Sequence, residues 1–223
     1  MLVRFVRFAT AGAASVLALA ASAQATSEIT APDILVKSVT LEVVDIIQKD
    51  KEIRSGGSAA KKKVIALIET KVLLHFNFQS MTSSAVGRNW NTANAEQKAR
   101  LVEEFKTLLV RTYSSALSAY SNQQFDFRPL RAKPTDTDVT VNVRILQSGT
   151  EPVTIDYDME KRPTGWKVWD VRVAGISLVA NYRTEFDNLV RDKGIDGLIK
   201  ALQAKNASLD PAAVPTAAGA QKK

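Results

Sequence analysis

Side chains that could support catalysis are few in this sequence and are not grouped. There is one histidine, His75, and no cysteine. His75 lies between Leu74 and Phe76 at the end of an apolar segment, where a single histidine is more often a packed or capping residue than a base or a metal ligand. A Ser-His-Asp site would have to use His75, and no G-x-S-x-G motif is present. The absence of cysteine excludes thiol catalysis, cysteine-based zinc sites and iron–sulfur clusters.

Three carboxylates, Asp156, Asp158 and Glu160, alternate along one short segment. Paired carboxylates can act as acid and base, but these share the face opposite the apolar residues, so a solvated surface is the simpler interpretation. Gly56-Gly57 lacks the Lys-Ser ending of a phosphate-binding loop. The basic run at 61–63 has no interleaved aromatic residues, which argues against a nucleic-acid partner. We therefore predict no enzyme activity, no metal site, no cofactor and no nucleic-acid binding.

The spacing of apolar residues predicts which elements carry these groups. Residues 34–49, 59–74 and 95–120 repeat with a period near 3.6, which predicts three helices. Ser177 is a plausible N-cap for a further helix that ends at 192–194, and a short amphipathic helix follows through Leu202.

Between these helices the period changes to two. Alternating runs begin at Phe125 and cover 139–145, 153–159 and 167–173, separated by turn residues. In the last run Trp169 is assigned to the apolar face, with Trp166 and Val168 on the opposite face. Helices followed by an antiparallel meander and further helices predict an α+β fold: a curled antiparallel sheet of about four strands, covered by helices.

The N-terminus has the pattern of an export signal. Arg4 and Arg7 precede a small, apolar run, and Ala21-Ser22-Ala23 fits a signal-peptidase site. We predict a signal peptide at 1–23, a single domain at 24–205 and a disordered tail at 206–223. The net charge is +7, and removal of the two arginines would leave +5, which favours encounter with anionic membranes or acidic partners.

Apolar and aromatic residues are abundant on the predicted sheet face and helices, and two interpretations of them remain open. Such residues usually form a solid core. They would also suit a cavity for an apolar ligand.

Several motifs occur in one order along the chain, and together they resemble a known family. They are His75-Phe76-Asn77-Phe78, Gly87-Arg88-Asn89-Trp90, Val153-Thr154-Ile155-Asp156-Tyr157, Gly165-Trp166-Lys167-Val168-Trp169-Asp170-Val171 and Gly175-Ile176-Ser177-Leu178-Val179-Ala180-Asn181-Tyr182-Arg183-Thr184-Glu185-Phe186. This pattern is similar to the MlaC family of periplasmic phospholipid-binding proteins, over about residues 30–203. Asn77 and Ala174 depart from it, because the family usually has Asp at the first position and commonly an acidic residue at the second.

The resemblance implies a periplasmic shuttle that carries phospholipid and helps to maintain outer-membrane lipid asymmetry. It implies two partners, an inner-membrane ABC transporter complex and an outer-membrane lipoprotein–porin complex, and an apolar cavity between the sheet and the helices. The predicted lipid-binding residues are Phe76, Phe78, Met81, Trp90, Phe105, Leu109, Tyr113, Val143, Ile155, Tyr157, Trp169, Val171, Val173, Ile176, Leu178, Tyr182 and Phe186. The alternative function is a periplasmic adaptor or assembly module with a solid core and no lipid ligand; a hydrolase is disfavoured by the missing nucleophile–base pair.

Overall fold

The computed structural model describes residues 29–118 and 123–209. The predicted signal peptide at 1–23 therefore lies outside the described residues. Six α-helices and five strands follow one another in the order expected of an α+β fold: α1 Pro32–Lys49, α2 Lys51–Ser55, α3 Gly57–Leu67, α4 Phe78–Val86, α5 Ala95–Ser118, β1 Gln124–Phe127, β2 Asp138–Leu146, β3 Val153–Arg162, β4 Gly165–Val173, β5 Ile176–Ser177 and α6 Leu178–Ser208.

The long helices begin where local signals predict them. Pro32 occupies the first turn of α1, where its missing N–H costs no hydrogen bond. The Ser177 hydroxyl accepts a hydrogen bond from the Ala180 N–H at the start of α6, as predicted for an N-cap. Gly194, with φ 69°, kinks α6 at the predicted break, but the helix then continues to Ser208. The tail boundary at 206 is therefore corrected, and residues 210–223 lie outside the described part of the chain.

The second predicted helix is irregular at its end. α3 changes at Leu67 into a π-helical turn, Ile68–Val72, followed by a 3₁₀ turn, Leu73–His75. A second 3₁₀ turn, Gly87–Thr92, follows α4. The helix at 78–86 was not predicted, although Phe78, Met81, Ala85 and Val86 follow a helical spacing and the last three are buried.

The strands form one antiparallel meander in the order β1-β2-β3-β4-β5. A β-bulge lies where β3 and β4 pair, since Asp158 is opposite Asp170 whereas Met159 is opposite Val168. Trp169 is the extra residue at this bulge. The bulge shifts the alternation of β4, so Trp166 and Val168 join Val171 in the same apolar cluster. Their predicted placement on the opposite face was wrong.

Three apolar clusters hold the elements together. One joins α4, α5 and α6, the second joins the apolar face of the sheet to the start of α1, and the third joins the rest of α1 to α2 and α3. α1 therefore links the sheet to the helices. No helix within the described ranges is long and apolar enough to cross a bilayer.

Candidate functional site

The segment that follows α3 is held against the outer edge of β4. Phe76 forms a parallel bridge with Val168, and the Asn77 N–H donates a 2.8 Å hydrogen bond to the Val168 carbonyl. The Asn77 side chain caps α4 by accepting from the Ser80 N–H at 3.1 Å, and its amide donates to Glu160 Oε1 at 2.6 Å. An aspartate here could cap the helix but would face the Glu160 carboxylate. Asn77, where the family usually has Asp, therefore changes a local hydrogen bond and leaves the apolar surface intact.

The helical cluster is a solid core. Phe105 on α5 meets Tyr182 and Phe186 on α6 edge-to-face, with ring centroids 5.2 and 5.4 Å apart. Phe105, Phe186 and Met81 are at most 1% exposed. Burial, followed by the nearby Tyr113, raises the pKa of the Tyr182 phenol to about 12. Close packing of this kind leaves no space for a ligand among these rings.

The apolar face of the sheet is covered less completely. Tyr157 lies at its centre on β3, with Val141 on β2 and Val171 on β4 directly opposite. The two valines are buried, whereas Tyr157 and its neighbour Ile155 are only half-buried. Burial raises the pKa of the Tyr157 phenol to about 12, although part of the side chain remains accessible. The apolar face is therefore not fully covered at Tyr157 and Ile155.

A cavity of about 740 Å³ lies between α3, the segment at 73–78 and α5. Its wall contains both apolar and polar side chains. The apolar contributors are Ile65, Ala66, Leu73, Leu74, Phe78 and Val110. The polar contributors are Lys62, Glu69, Glu103, Lys106, Thr107 and Arg111. A wall with both kinds of side chain can accommodate an amphiphile, whose chain avoids water while its polar end remains hydrated.

A second cavity of about 340 Å³ lies beside the β3–β4 turn. Leu35 and Trp166, both members of the sheet cluster, line it together with His75 and Lys167. Burial and then the charge of Lys167 lower the pKa of His75. Leu74 lines both cavities.

The structure separates the predicted lipid-binding residues into groups. Phe78 alone among them contributes to the wall of the 740 Å³ cavity, and no strand residue does. The predicted cavity between the sheet and the helices stays a prediction. The residues of the helical core, or packed against it, are Phe78, Met81, Trp90, Phe105, Leu109, Tyr182 and Phe186. The residues of the sheet cluster are Val143, Ile155, Tyr157, Val171, Val173 and Leu178.

Four predicted residues fall outside this division. Phe76 packs against both clusters. Tyr113 contacts Tyr182 and is exposed at the surface of α5. Ile176 is 64% exposed on the edge strand β5, and Trp169 is half-buried at the bulge. Their roles in lipid binding stay predictions.

Sequence reasoning missed most of the cavity wall. Ile65, Ala66 and Leu73 lie in the second predicted helix, and Val110 follows Leu109 on α5. The signal that could have identified them is the number of apolar residues. The second predicted helix and α5 each carry more apolar residues than one buried stripe requires.

The carboxylates considered for catalysis are engaged on the polar face of the sheet. Asp158 accepts from the Thr140 hydroxyl at 2.6 Å and pairs with Arg172 at 2.5 Å. Arg172 also reaches Asp156, and Glu160 pairs with Arg162 at 2.7 Å. Within the part of the chain that is described, no group of three or more His, Asp or Glu could hold a metal ion.

Comparison with known proteins links this geometry to lipid binding. The structure is similar to that of a phospholipid-binding protein from Ralstonia solanacearum, determined in complex with a phospholipid. The TM-score is 0.73 at 36% identity, and the match covers 79% of this chain and 97% of that chain.

Two curated relatives match shorter stretches. The Haemophilus influenzae intermembrane phospholipid transport system binding protein MlaC is 25% identical over 140 residues, which is 61% of this chain and 65% of the relative. Toluene tolerance protein ttg2D of Pseudomonas putida is 30% identical over 126 residues, 52% of this chain and 58% of the relative. The chain thus spans somewhat less than two thirds of the length of each.

The model of the MlaC protein family matches residues 37–204. That range includes all five strands, α2 to α5, most of α1 and α6, and the whole wall of the 740 Å³ cavity. This chain therefore belongs to the MlaC family.

Proposed function

We propose that this protein binds a phospholipid and carries it through the periplasm between outer-membrane and inner-membrane complexes, which maintains outer-membrane lipid asymmetry. The observation that carries the proposal is the 740 Å³ cavity, lined by apolar and charged residues, in a fold that holds a phospholipid in the Ralstonia relative.

The energetics of acyl chains explain why such a carrier needs a cavity. Each CH₂ group moved into water costs about 0.8 kcal/mol, so a chain of about sixteen carbons costs about 12 kcal/mol. The cavity volume lies within the range of about 300–1,000 Å³ that is usual for ligand pockets. Its apolar side chains would remove an acyl chain from water, and a charged lining residue such as Lys62 would interact with the polar end of the lipid.

The alternative, an adaptor with a solid core, fits the structure less well. The helical cluster is solid, but the sheet face around Tyr157 is half-buried and the cavity between α3 and α5 is open. An enzymatic role also has little support, because the carboxylates of the sheet are held in ion pairs on the polar face. We propose a binding protein without catalytic activity.

The partners and the location are part of the same proposal. The name of the Haemophilus relative, an intermembrane transport system binding protein, supports a pathway with an inner-membrane ABC transporter complex at one end and an outer-membrane lipoprotein–porin complex at the other. Export would rely on cleavage after Ala23. N-terminal sequencing of the exported protein tests this step, and a mature protein that begins at Met1 or Leu2 would contradict it.

Lipid extraction tests the central claim. Protein purified from the periplasm of a bacterial host should release phospholipid in about equimolar amount, measured by mass spectrometry of the organic extract. Protein stripped of lipid and refolded should take up phospholipid from vesicles. A folded protein that carries no lipid and accepts none would overturn the proposal and favour the adaptor.

A further inference from the structure

Five charged side chains line the 740 Å³ cavity, namely Lys62, Glu69, Glu103, Lys106 and Arg111. Three of them have partners in the protein. Lys106 pairs with Glu103 at 2.6 Å on α5. Arg111 donates a hydrogen bond to the Asn206 carbonyl near the C-terminal end of α6, where the carbonyl groups of a helix carry partial negative charge. Within the described ranges, neither Lys62 nor Glu69 makes an ion pair or a side-chain hydrogen bond.

Lys62 and Glu69 lie on one face of the same helical segment. Lys62 belongs to α3, and Glu69 belongs to the π-helical turn that continues it. Ile65 and Ala66 lie between them and line the same cavity, so the four residues follow the i, i+3, i+4, i+7 spacing of one helix face. The helix rises about 10 Å between the two charged residues. A cation and an anion therefore stand at the two ends of a short apolar strip, and both are exposed to water.

This pair of charges suits a polar group that carries both signs. The phosphate of a phospholipid is an acceptor for the ammonium of Lys62, and such charge-assisted hydrogen bonds are stronger than neutral ones. A head group that ends in an ammonium also offers a cation to Glu69, to which it is attracted. A neutral glycerol head group offers Glu69 no charge. The two residues can therefore distinguish phospholipids by head group.

We propose that Lys62 and Glu69 form a head-group site, in which Lys62 binds the lipid phosphate and Glu69 binds the ammonium of a zwitterionic phospholipid such as phosphatidylethanolamine. This inference rests on the proposed function and extends it, because it names the class of lipid. It places the acyl chains against Ile65, Ala66 and the other apolar residues of the same wall. Because both charges are exposed, each contact should change the affinity by about 2- to 5-fold, as exposed ion pairs do.

Matched lipids and single-charge variants test the inference. Delipidated wild-type protein, Lys62→Met and Glu69→Gln are titrated with phosphatidylethanolamine and with phosphatidylglycerol of identical acyl chains, in competition with a fluorescent phospholipid. Glu69→Gln should weaken the binding of phosphatidylethanolamine by about 2- to 5-fold and should not weaken the binding of phosphatidylglycerol. Lys62→Met should weaken the binding of both lipids by a similar factor, since both carry the phosphate.

Two control variants separate these contacts from the overall charge of the protein. Lys61→Met and Glu96→Gln remove the same charges at exposed positions outside the cavity wall and should leave both affinities unchanged. Melting temperatures without lipid should match the wild type, because all four side chains are exposed. An unchanged ratio of the two affinities in Glu69→Gln, or equal effects of Lys62→Met and Lys61→Met, would overturn the inference. Failure of the wild type to bind either lipid would instead refute the proposed function.

Discussion

The rings of Phe76 and Phe78 stack with their centroids 5.8 Å apart and their planes 18° apart. Phe76 packs against both the sheet cluster and the helical core, whereas Phe78 lines the 740 Å³ cavity. The stacked pair therefore joins the half-buried sheet face to the helical cavity. Its position depends on the hydrogen bond from the Asn77 N–H to the Val168 carbonyl, which attaches the segment to β4.

Filling the cavity should remove lipid without unfolding the protein. Ala66 lies on α3 in the cavity wall, and Ala66→Trp places an indole in the open volume. Because the site is not close-packed, we expect the free energy of unfolding to change by less than about 1 kcal/mol. Most of the co-purified phospholipid should be lost, as measured by extraction and mass spectrometry.

The matched control is Ala99→Trp, the same substitution at an exposed position of α5 outside the cavity. It should retain wild-type lipid content. Undiminished lipid in Ala66→Trp would show that the acyl chains lie elsewhere, on the sheet face.

The helical core should affect stability and not lipid content. Phe105 is fully buried between Tyr182 and Phe186. Phe105→Ala should lower the free energy of unfolding by about 3–5 kcal/mol, through lost burial and the cavity that remains. Denaturant titration measures this change. Lipid bound per folded molecule should match the wild type, and a selective loss of lipid would assign Phe105 to the binding site.

The Asp158–Arg172 ion pair on the polar face of the sheet should contribute more to the free energy of unfolding than a more exposed ion pair of the same sheet. The Asp158 side chain is 8% exposed and depends on Arg172 and Thr140. Arg172→Met leaves that carboxylate with one polar partner, so we expect a loss of about 1–3 kcal/mol.

Arg128→Met is the control for that variant, because the Arg128–Asp126 pair is more exposed and should contribute about 1 kcal/mol or less. Urea unfolding of both variants compares the two sites. Equal effects would show that the Asp158 pair is screened as strongly as a surface pair.

Alkaline pH should destabilise the protein through two tyrosines. The folded protein holds the pKa of Tyr157 and Tyr182 at about 12, above the ordinary value of 10.0, mainly by burial. Between these values the unfolded chain loses protons that the folded protein keeps, so the free energy of unfolding falls as pH rises through that window.

Tyr157→Phe should make this fall shallower. Denaturant titrations at neutral pH and above pH 10 measure the slope for the wild type and the variant. An identical slope would mean that the Tyr157 phenol ionises as easily in the folded protein as in the unfolded chain.

Local patterns were sufficient to predict the order and type of the long elements. The alternation in 139–145 and 153–159 indicates two strands with one apolar face, and these runs pair as β2 and β3. Ser177 can be recognised as an N-cap because its side chain acts on a backbone N–H three residues away. Each of these signals is contained within a few neighbouring residues, which is why the sequence by itself determined them.

The bulge and the cavity depended on tertiary structure. Trp169 becomes an extra residue only when β4 must pair with β3 on one side and with Phe76 on the other, so strict alternation misplaced Trp166 and Val168. The apolar residues of α3 and α5 are equally consistent with a solid core. Packing of α5 against α6 buries Phe105, whereas Ala66 on α3 borders open space. The distance between elements that are remote in the chain does not affect the hydrophobic period of either one, so only the tertiary structure determines it.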